Sequence, residues 1–215
     1  MTQIFRRRGD LGVKLAFVAL CVGAVIAIAA LASSGARDPL LRQPVAQPIP
    51  FSHKHHVSDD GIDCRYCHTT VETSAFAGMP TSHVCMSCHS QLYTDAPMLA
   101  PLRRAAATGQ PIEWKRVYKL PDFVYFNHGI HIAKGVGCVE CHGRVDQMPL
   151  AWRASPMQMQ WCLACHRDPA PHLRPPEQLF TMSAPPASAD ETKQLAAAAH
   201  LQSTQRLTDC STCHR

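Results

Sequence analysis

Five copies of one short pattern contain ten of the eleven cysteines in this 215-residue sequence. In each copy, two residues separate a pair of cysteines and a histidine follows at once. With 11 Cys and 13 His in the chain, chance alone would give about 0.03 copies. Numbered as motifs 1 to 5 in chain order, the copies are CRYCH (Cys64, Cys67, His68), CMSCH (Cys85, Cys88, His89), CVECH (Cys138, Cys141, His142), CLACH (Cys162, Cys165, His166) and CSTCH (Cys210, Cys213, His214).

This spacing is typical of covalent attachment of a c-type haem. Two thiols three positions apart can both reach the vinyl-derived carbons on one porphyrin edge, and the next histidine then lies under the iron as its proximal ligand. Disulfides do not need a histidine after every second cysteine. Zinc would need the motifs to pair into four-ligand sets, which five motifs cannot do. We therefore expect five haem c groups, with the ten motif cysteines as attachment sites and the five motif histidines as proximal ligands.

The formal net charge of +5 would by itself suggest a nucleic-acid-binding protein. Each haem, however, would add propionates that are mostly ionised near neutral pH if they behave like ordinary carboxylates. The haem-loaded protein should then be near neutral or acidic, so we do not expect nucleic-acid binding.

Residues 1–35 have the features of a membrane anchor. A basic stretch at 6–14 precedes an apolar run of 18 residues at 15–32, which is about 27 Å long as a helix and just sufficient to cross a bilayer. The basic flank should stay in the cytoplasm, which places the rest of the chain on the periplasmic face of the inner membrane. A cleaved signal peptide is the alternative, because Ala30-Leu31-Ala32 resembles a cleavage site, but the apolar run exceeds the usual signal-peptide core.

The remaining sequence contains a proline-rich segment and then a repeat. Residues 36–50 hold four prolines and should form a stiff, extended stalk. FSHKHH precedes motifs 1 and 2, and FNHGIH precedes motifs 3 and 4, at offsets of 75, 74 and 77 residues. Because self-similarity at a fixed period indicates duplicated units, we expect a diheme unit at 51–110 and a triheme unit at 111–215.

We expect a mostly irregular and α-helical multihaem cytochrome c with little β structure, in which the porphyrins form the core. Helices are predicted within 91–108 and 191–207. The proline-rich segment 169–190 is predicted to be irregular and could wrap a partner.

Each half of the repeat also offers two histidines outside the CxxCH motifs. The pattern F-x-H-x-x-H supplies His53 and His56 in the first half and His128 and His131 in the second. A haem iron has two axial positions, and the motif histidine fills only one of them. Histidines three positions apart on a turn could point to different haems and hold neighbouring porphyrins close together.

This arrangement resembles the small class III triheme cytochromes. In that family the first histidine of the pair is the distal ligand of the next haem, and the second is the distal ligand of the following haem. The resemblance implies that His53 serves motif 1, His56 motif 2, His128 motif 3 and His131 motif 4.

The same resemblance leaves the haem of motif 5 without a distal histidine. In the triheme family this ligand lies just before the second CxxCH of the unit, where the present sequence reads SPMQMQWCLACH. Met159 is the first candidate, and a His/Met pair would raise the potential of this haem relative to the bis-histidine haems. The alternatives that stay open are Met148, Met157, His83, His172 and His200.

Nearly the whole chain resembles the pentahaem cytochrome c subunits (ActA) of bacterial alternative complex III. The resemblance rests on the N-terminal anchor, FSHKHHVSDDGIDCRYCH, LPDFVYFNHGIH, GVGCVECHGRVDQMPL and the terminal CSTCHR. It implies an electron-transfer subunit, without catalytic residues of its own, in a quinol-oxidising respiratory complex. The implied partners are an iron–sulfur, molybdopterin-like subunit and integral membrane quinol-binding subunits, with a monohaem cytochrome c or a haem–copper oxidase as acceptor.

Two other functions fit the motifs. A free-standing periplasmic electron shuttle or quinol dehydrogenase would carry the same haem sites. A multihaem reductase would need one haem with an open distal position beside acid–base residues. The unassigned ligand of the fifth haem permits a reductase, whereas the absence of a CxxCK motif argues against it.

Overall fold

The computed structural model describes residues 7–35 and 41–214. They belong to two compact units, which divide between residues 40 and 41. The first unit is the single helix α1 (Arg7–Gly35). Its segment Gly9–Leu31 has a mean hydropathy of 2.5 and is the one helix in the described residues that is long and apolar enough to span a membrane. This helix is consistent with the predicted single-pass anchor.

The second unit consists of short helices joined by irregular chain, and the described residues form isolated β-bridges but no strand. This confirms the mostly helical and irregular fold class. A π-helical segment spans Lys54–Asp59, and 3₁₀ turns lie at Pro97–Leu99, Val145–Gln147, Ala170–His172 and Pro176–Gln178. The helices are α2 (Cys64–Cys67), α3 (Ser82–His89), α4 (Ala100–Thr108), α5 (His128–Ala133), α6 (Cys138–His142), α7 (Met159–Arg167), α8 (Ala189–Ala198), α9 (Thr204–Leu207) and α10 (Cys210–Cys213).

Each CxxCH motif forms a helical turn or the end of a short helix. The side chain of Asp63 accepts a hydrogen bond from the Arg65 backbone N–H at 2.8 Å and begins α2. Asp209 accepts one from the Ser211 N–H at 2.9 Å in the same way and begins α10. Because residues i and i+3 lie on one helix face, each turn presents both cysteines of its motif to the same side.

The apolar core of protein side chains is small. Val71, Ile132 and Leu179 form one buried cluster, and Leu173 is only 1% exposed. Two of these four residues come from the proline-rich segment 169–190, so part of this segment packs on the chain's own core. The physical reason is its leucines, since each buried leucine stabilises the fold by about 1.5–3 kcal/mol.

Two helices are shorter than predicted. In the predicted helix 91–108, Pro97 begins a 3₁₀ turn, and the α-helix starts only at Ala100, because proline lacks the N–H that a helix interior requires. In the predicted helix 191–207, α8 ends at Ala198, and His200 has a φ of +46°. A right-handed helix cannot continue through that left-handed conformation, so α8 and α9 are separate helices.

Part of the predicted stalk belongs to the second unit. The Arg42 N–H donates to the Arg153 carbonyl at 2.8 Å and the Val45 N–H donates to the Ala151 carbonyl at 3.1 Å, while Ile49 is buried. Residues 36–40 of the stalk, residues 1–6 of the anchor and residue 215 lie outside the described residues. The division into diheme and triheme units stays a prediction.

Candidate haem-binding sites

The two copies of F-x-H-x-x-H have the same ring geometry. Phe51 stacks on His56 with centroids 4.4 Å apart at 26°, and meets His53 edge-on at 4.9 Å and 87°. In the second copy, Phe126 stacks on His131 at 4.6 Å and 26°. It meets His128 edge-on at 4.7 Å and 90°. Each phenylalanine therefore fixes the relative orientation of both histidines, and the only sign of this role in the sequence is that the Phe is repeated in both copies.

The structure brings histidines of the F-x-H-x-x-H copies next to motif histidines. Imidazoles bound to opposite faces of one iron, each through a bond of about 2 Å, have ring centres roughly 6 Å apart. Three pairs have this spacing: His56–His89 at 6.2 Å, His131–His166 at 6.1 Å and His128–His142 at 6.4 Å. These are pairs that the class III resemblance implies, and their role as iron ligands stays a prediction.

Backbone carbonyls set the tautomer of most of these histidines. A carbonyl oxygen can only accept a hydrogen bond, so a ring Nδ1 that contacts one must carry the proton and leave the Nε2 lone pair for a metal. Seven of the nine predicted histidine ligands make such a contact. The pairs are His56 with Ser52 (2.9 Å), His68 with Gly78 (2.8 Å), His89 with Leu92 (3.1 Å), His128 with Ala75 (2.8 Å), His131 with Asn127 (2.7 Å), His166 with Leu207 (2.8 Å) and His214 with Phe123 (3.4 Å).

The two other predicted histidine ligands, His53 and His142, are kept uncharged by burial and by neighbouring histidines. Burial, followed by the nearby His68 and His56, lowers the pKa of His53 to about 4. Burial, followed by the nearby His128, His68 and His53, lowers the pKa of His142 to about 4. Both imidazoles are therefore neutral at physiological pH, which is the form that binds a metal. Because such charge interactions act at short range, His53, His68 and His142 lie near one another.

The environment of the motif cysteines is compatible with covalent haem attachment. None of the eleven cysteines is disulfide-bonded. Burial raises the pKa of Cys138 and Cys141 to about 12 and that of Cys165 to about 11. A thioether to haem is uncharged, so it is compatible with the burial of these sulfurs. The donor set thus suits covalent haem attachment.

Thiols of different motifs lie close enough to influence one another. After the larger effect of burial, the pKa of a motif cysteine is raised further by a cysteine of another motif. The pairs are Cys67 with Cys85, Cys138 with Cys64, Cys141 with Cys165 and Cys162, and Cys162 with Cys213.

The candidates for the fifth distal ligand occupy different environments. Met159 is the first residue of α7 and is 59% exposed, whereas Met148 is buried in the core. His83 and His200 are exposed. The Nδ1 of His172 lies 2.7 Å from Glu140 Oε2. The assignment of Met159 stays a prediction.

Two groups around motif 3 gave no signal in the sequence. The Tyr118 ring lies 4.6 Å from that of His142, and its hydroxyl donates to the Cys141 carbonyl at 3.2 Å. Glu140, inside the motif, pairs with both His172 and the buried Arg174. Both contacts join residues distant along the chain, so only the fold reveals them.

The described residues contain no cluster of three or more His, Cys, Asp or Glu side chains that could hold a metal ion. A haem iron takes only two axial ligands from the protein, so histidine pairs are what such an iron requires.

The chain is similar to known multihaem cytochromes. The family profile described as cytochrome c7 and related cytochrome c matches residues 49–107 and 124–215. The chain is also 34% identical over 125 residues to the multiheme cytochrome c subunit of menaquinone reductase from Nitratidesulfovibrio vulgaris (strain Hildenborough). This alignment covers 58% of the chain and 53% of the relative, so the chain spans about half the length of the curated relative it matches.

Proposed function

This chain belongs to the family of cytochrome c7 and related cytochromes c, and we propose that it is a membrane-anchored pentahaem subunit that relays electrons within a quinone-reactive complex. Members of a cytochrome c family bind haem covalently, and the five CxxCH motifs supply five attachment sites. Each haem, when bound, supplies an iron that takes up and releases one electron. We assign two haems to residues 51–110 and three to residues 111–215.

The observation that carries the proposal is the pairing of histidine rings at 6.1 to 6.4 Å. In each of these pairs at least one Nδ1 is bonded to a backbone carbonyl, which holds Nε2 ready for an iron. Protein ligands on both sides of an iron leave no position for a substrate. This supports electron transfer, and argues against catalysis by the subunit itself.

For the haem of motif 5, we propose Met159 as the distal ligand. Met159, Cys162 and His166 lie on one face of α7, because positions i, i+3 and i+7 share a face. Cys162 on this face is a neighbour of Cys213 in motif 5. The exposed Met159 side chain is therefore one turn away from the part of α7 that approaches motif 5.

The finer proposal is that the complex is alternative complex III, in the inner membrane, with the haem unit on the periplasmic face. Its support is the resemblance of the motif order and of the sequence around the motifs to the pentahaem subunits of that complex. The partners would be an iron–sulfur, molybdopterin-like subunit and quinol-binding membrane subunits. Electrons would leave toward a monohaem cytochrome c or a haem–copper oxidase.

A second candidate reverses the direction of electron flow. The relative from N. vulgaris is named as a subunit of a menaquinone reductase, which favours electron delivery to menaquinone instead of electron removal from a quinol. The chemistry within this subunit is the same in both candidates, because both require a series of haems that each have two protein ligands.

Three measurements on the purified full-length protein test the electron-relay proposal. A pyridine haemochrome assay should return five haems c per chain. Low-temperature EPR should show only low-spin ferric signals, and carbon monoxide should not bind to the reduced protein. A high-spin haem that binds carbon monoxide would overturn the proposal in favour of a reductase.

The direction of transfer and the partners require the intact complex. After purification in mild detergent, mass analysis should find the proposed subunits; a lone haem chain would favour the free-standing shuttle. If the complex is alternative complex III, adding a quinol should reduce the haems, as seen in their α-band absorbance. In a menaquinone reductase, a menaquinone analogue should instead reoxidise chemically reduced haems.

A further inference from the structure

We propose that the five attachment motifs lie in the spatial order 2, 1, 3, 4, 5, so that the two halves of the repeat meet through their first motifs. This inference deepens the proposed electron relay and rests on it. It makes motifs 2 and 5 the two ends of the relay, and it makes the passage from motif 1 to motif 3 the single crossing between the halves. The order differs from the order in the sequence, and each of its four links rests on a separate contact.

Motifs 2 and 1 are joined directly. The hydroxyl of Tyr66, which lies between the two cysteines of motif 1, forms a 2.7 Å hydrogen bond with the hydroxyl of Ser87. Ser87 lies between the two cysteines of motif 2. The bond therefore connects the two attachment turns themselves, in agreement with the neighbouring thiols of Cys67 and Cys85.

Motifs 1 and 3 share a segment that we call the strap, residues 70–78. Its Gly78 carbonyl accepts from Nδ1 of His68, the histidine of motif 1, at 2.8 Å. Its Ala75 carbonyl accepts from Nδ1 of His128, the histidine paired with motif 3, at 2.8 Å. One short segment thus holds an imidazole from each half. The approach is close, because a Cβ on Gly129 would lie 3.0 Å from the Glu72 carbonyl oxygen.

The junction between motifs 1 and 3 is reciprocal. The Gly129 N–H donates to the Ser74 carbonyl at 3.0 Å, and Ser74 is six residues after the histidine of motif 1. Lys54 occupies the position equivalent to Gly129 in the first copy of F-x-H-x-x-H. Its N–H donates at 3.1 Å to the carbonyl of Met148, which is six residues after the histidine of motif 3. Equivalent donors and acceptors are exchanged between the halves, as expected where two copies of one unit meet face to face.

Motifs 3 and 4 are joined by an acidic residue. Glu140, inside motif 3, contacts Nδ1 of His172 at 2.7 Å. His172 ends the 3₁₀ turn that follows motif 4 after a few residues. The thiol of Cys141 is correspondingly a neighbour of the two thiols of motif 4.

Motifs 4 and 5 are joined through α9. The histidine of motif 4, His166, donates from Nδ1 to the Leu207 carbonyl at the end of α9, at 2.8 Å. From the same helix, the Arg206 carbonyl accepts from the Thr212 hydroxyl at 2.8 Å, and Thr212 lies between the cysteines of motif 5. One turn of helix therefore contacts both attachment motifs.

The direct test is a cryo-EM map of the haem-loaded chain within its purified complex. We expect the iron of motif 1 to have those of motifs 2 and 3 as its nearest neighbours, and the iron of motif 5 to be nearest that of motif 4. The order would be overturned by a map in which the iron of motif 3 lies closer to the iron of motif 2 than to the iron of motif 1. Five haems in another order would leave the electron relay intact, whereas fewer than five haems would count against the relay itself.

A variant tests the junction independently of a map. In Gly129→Ala the new methyl group meets the strap, which carries the hydrogen-bond acceptors of both His68 and His128. We expect two of the five midpoint potentials and two low-spin EPR signals to shift. The matched control is Ile130→Ala, because Ile130 is the next residue on α5 and is 58% exposed; it should leave all five potentials unchanged. A shift of only one potential in Gly129→Ala, or of none, would show that the strap does not join two haem sites.

Discussion

Arg174 and Glu140 form a largely buried ion pair. The Arg174 side chain is 6% exposed and that of Glu140 is 18% exposed, and Glu140 also contacts His172. The pair connects motif 3 to the segment that follows motif 4. Arg174→Met keeps most of the apolar stem and removes the charge, so it leaves Glu140 with His172 as its remaining partner.

The expected loss of stability follows from this geometry. Removing one partner of a fully buried ion pair costs about 3–5 kcal/mol. Glu140 retains His172 and some contact with water, so we expect about 2–4 kcal/mol for Arg174→Met. In a unit of this size each kcal/mol lowers Tm by about 2–4 °C, and the predicted decrease is therefore roughly 5–15 °C.

The assay is thermal unfolding of the haem-loaded protein, followed in parallel by far-UV circular dichroism and by haem absorbance. Lys193→Met is the matched control, because it breaks a pair with Asp190 whose side chains are 79% and 89% exposed. The control should change stability by less than about 0.5 kcal/mol. Adding Glu140→Gln to Arg174→Met should recover part of the loss, since the neutral amide needs no cation. Equal Tm values for Arg174→Met and Lys193→Met would refute the reasoning.

Three further changes probe other parts of the haem unit. Phe126→Leu removes the ring stacked on His131, a contact of about 0.5–1.5 kcal/mol, and should change two low-spin EPR signals; unaltered spectra would exclude a positioning role. The pKa of Asp146 lies below its ordinary value, chiefly because of its hydrogen bond from Arg144. Its stabilising effect is therefore complete above the unfolded pKa of about 4 and is lost as the pH falls through the folded pKa. Asp146→Asn should accordingly weaken the decrease of Tm in acid, and identical Tm–pH curves would contradict this. Met159→His should lower one midpoint potential substantially, and an unchanged redox titration would rule Met159 out as a ligand.

The parts of the site that covalent geometry dictates could be predicted from the sequence. A thiol pair at i and i+3 followed by histidine has few chemical uses, so the motifs alone predicted haem attachment. The repeat then indicated which other histidines are special. The ring pairs His56–His89 and His131–His166 now lie at a spacing that suits one iron between them. Their ligand roles were implied by a resemblance and stay predictions.

The parts that depend on contacts between distant segments could not be predicted. Nothing in the local sequence indicates that Tyr66 bonds to Ser87 or that Glu140 pairs with Arg174. The proline content of 169–190 suggested a segment that could wrap a partner. The spacing of its leucines does not reveal that Leu173 is buried within the chain itself. Composition predicts the absence of regular structure, and it does not predict what an irregular segment packs against.

The two copies of F-x-H-x-x-H differ at the position whose backbone N–H bonds to the other half of the repeat. The position occupied by Gly129 in FNHGIH is Lys54 in FSHKHH. A Cβ at 129 would lie 3.0 Å from the Glu72 carbonyl oxygen, so the strap would have to move to accept it, whereas the Lys54 side chain is 44% exposed and pairs with Asp59. The backbone hydrogen bond at this position is kept in both copies, so the duplicated junction needs only the N–H, and a side chain is disfavoured only where the strap approaches. A junction through the second motifs would place no such demand on residue 129, and the glycine would then have no structural reason.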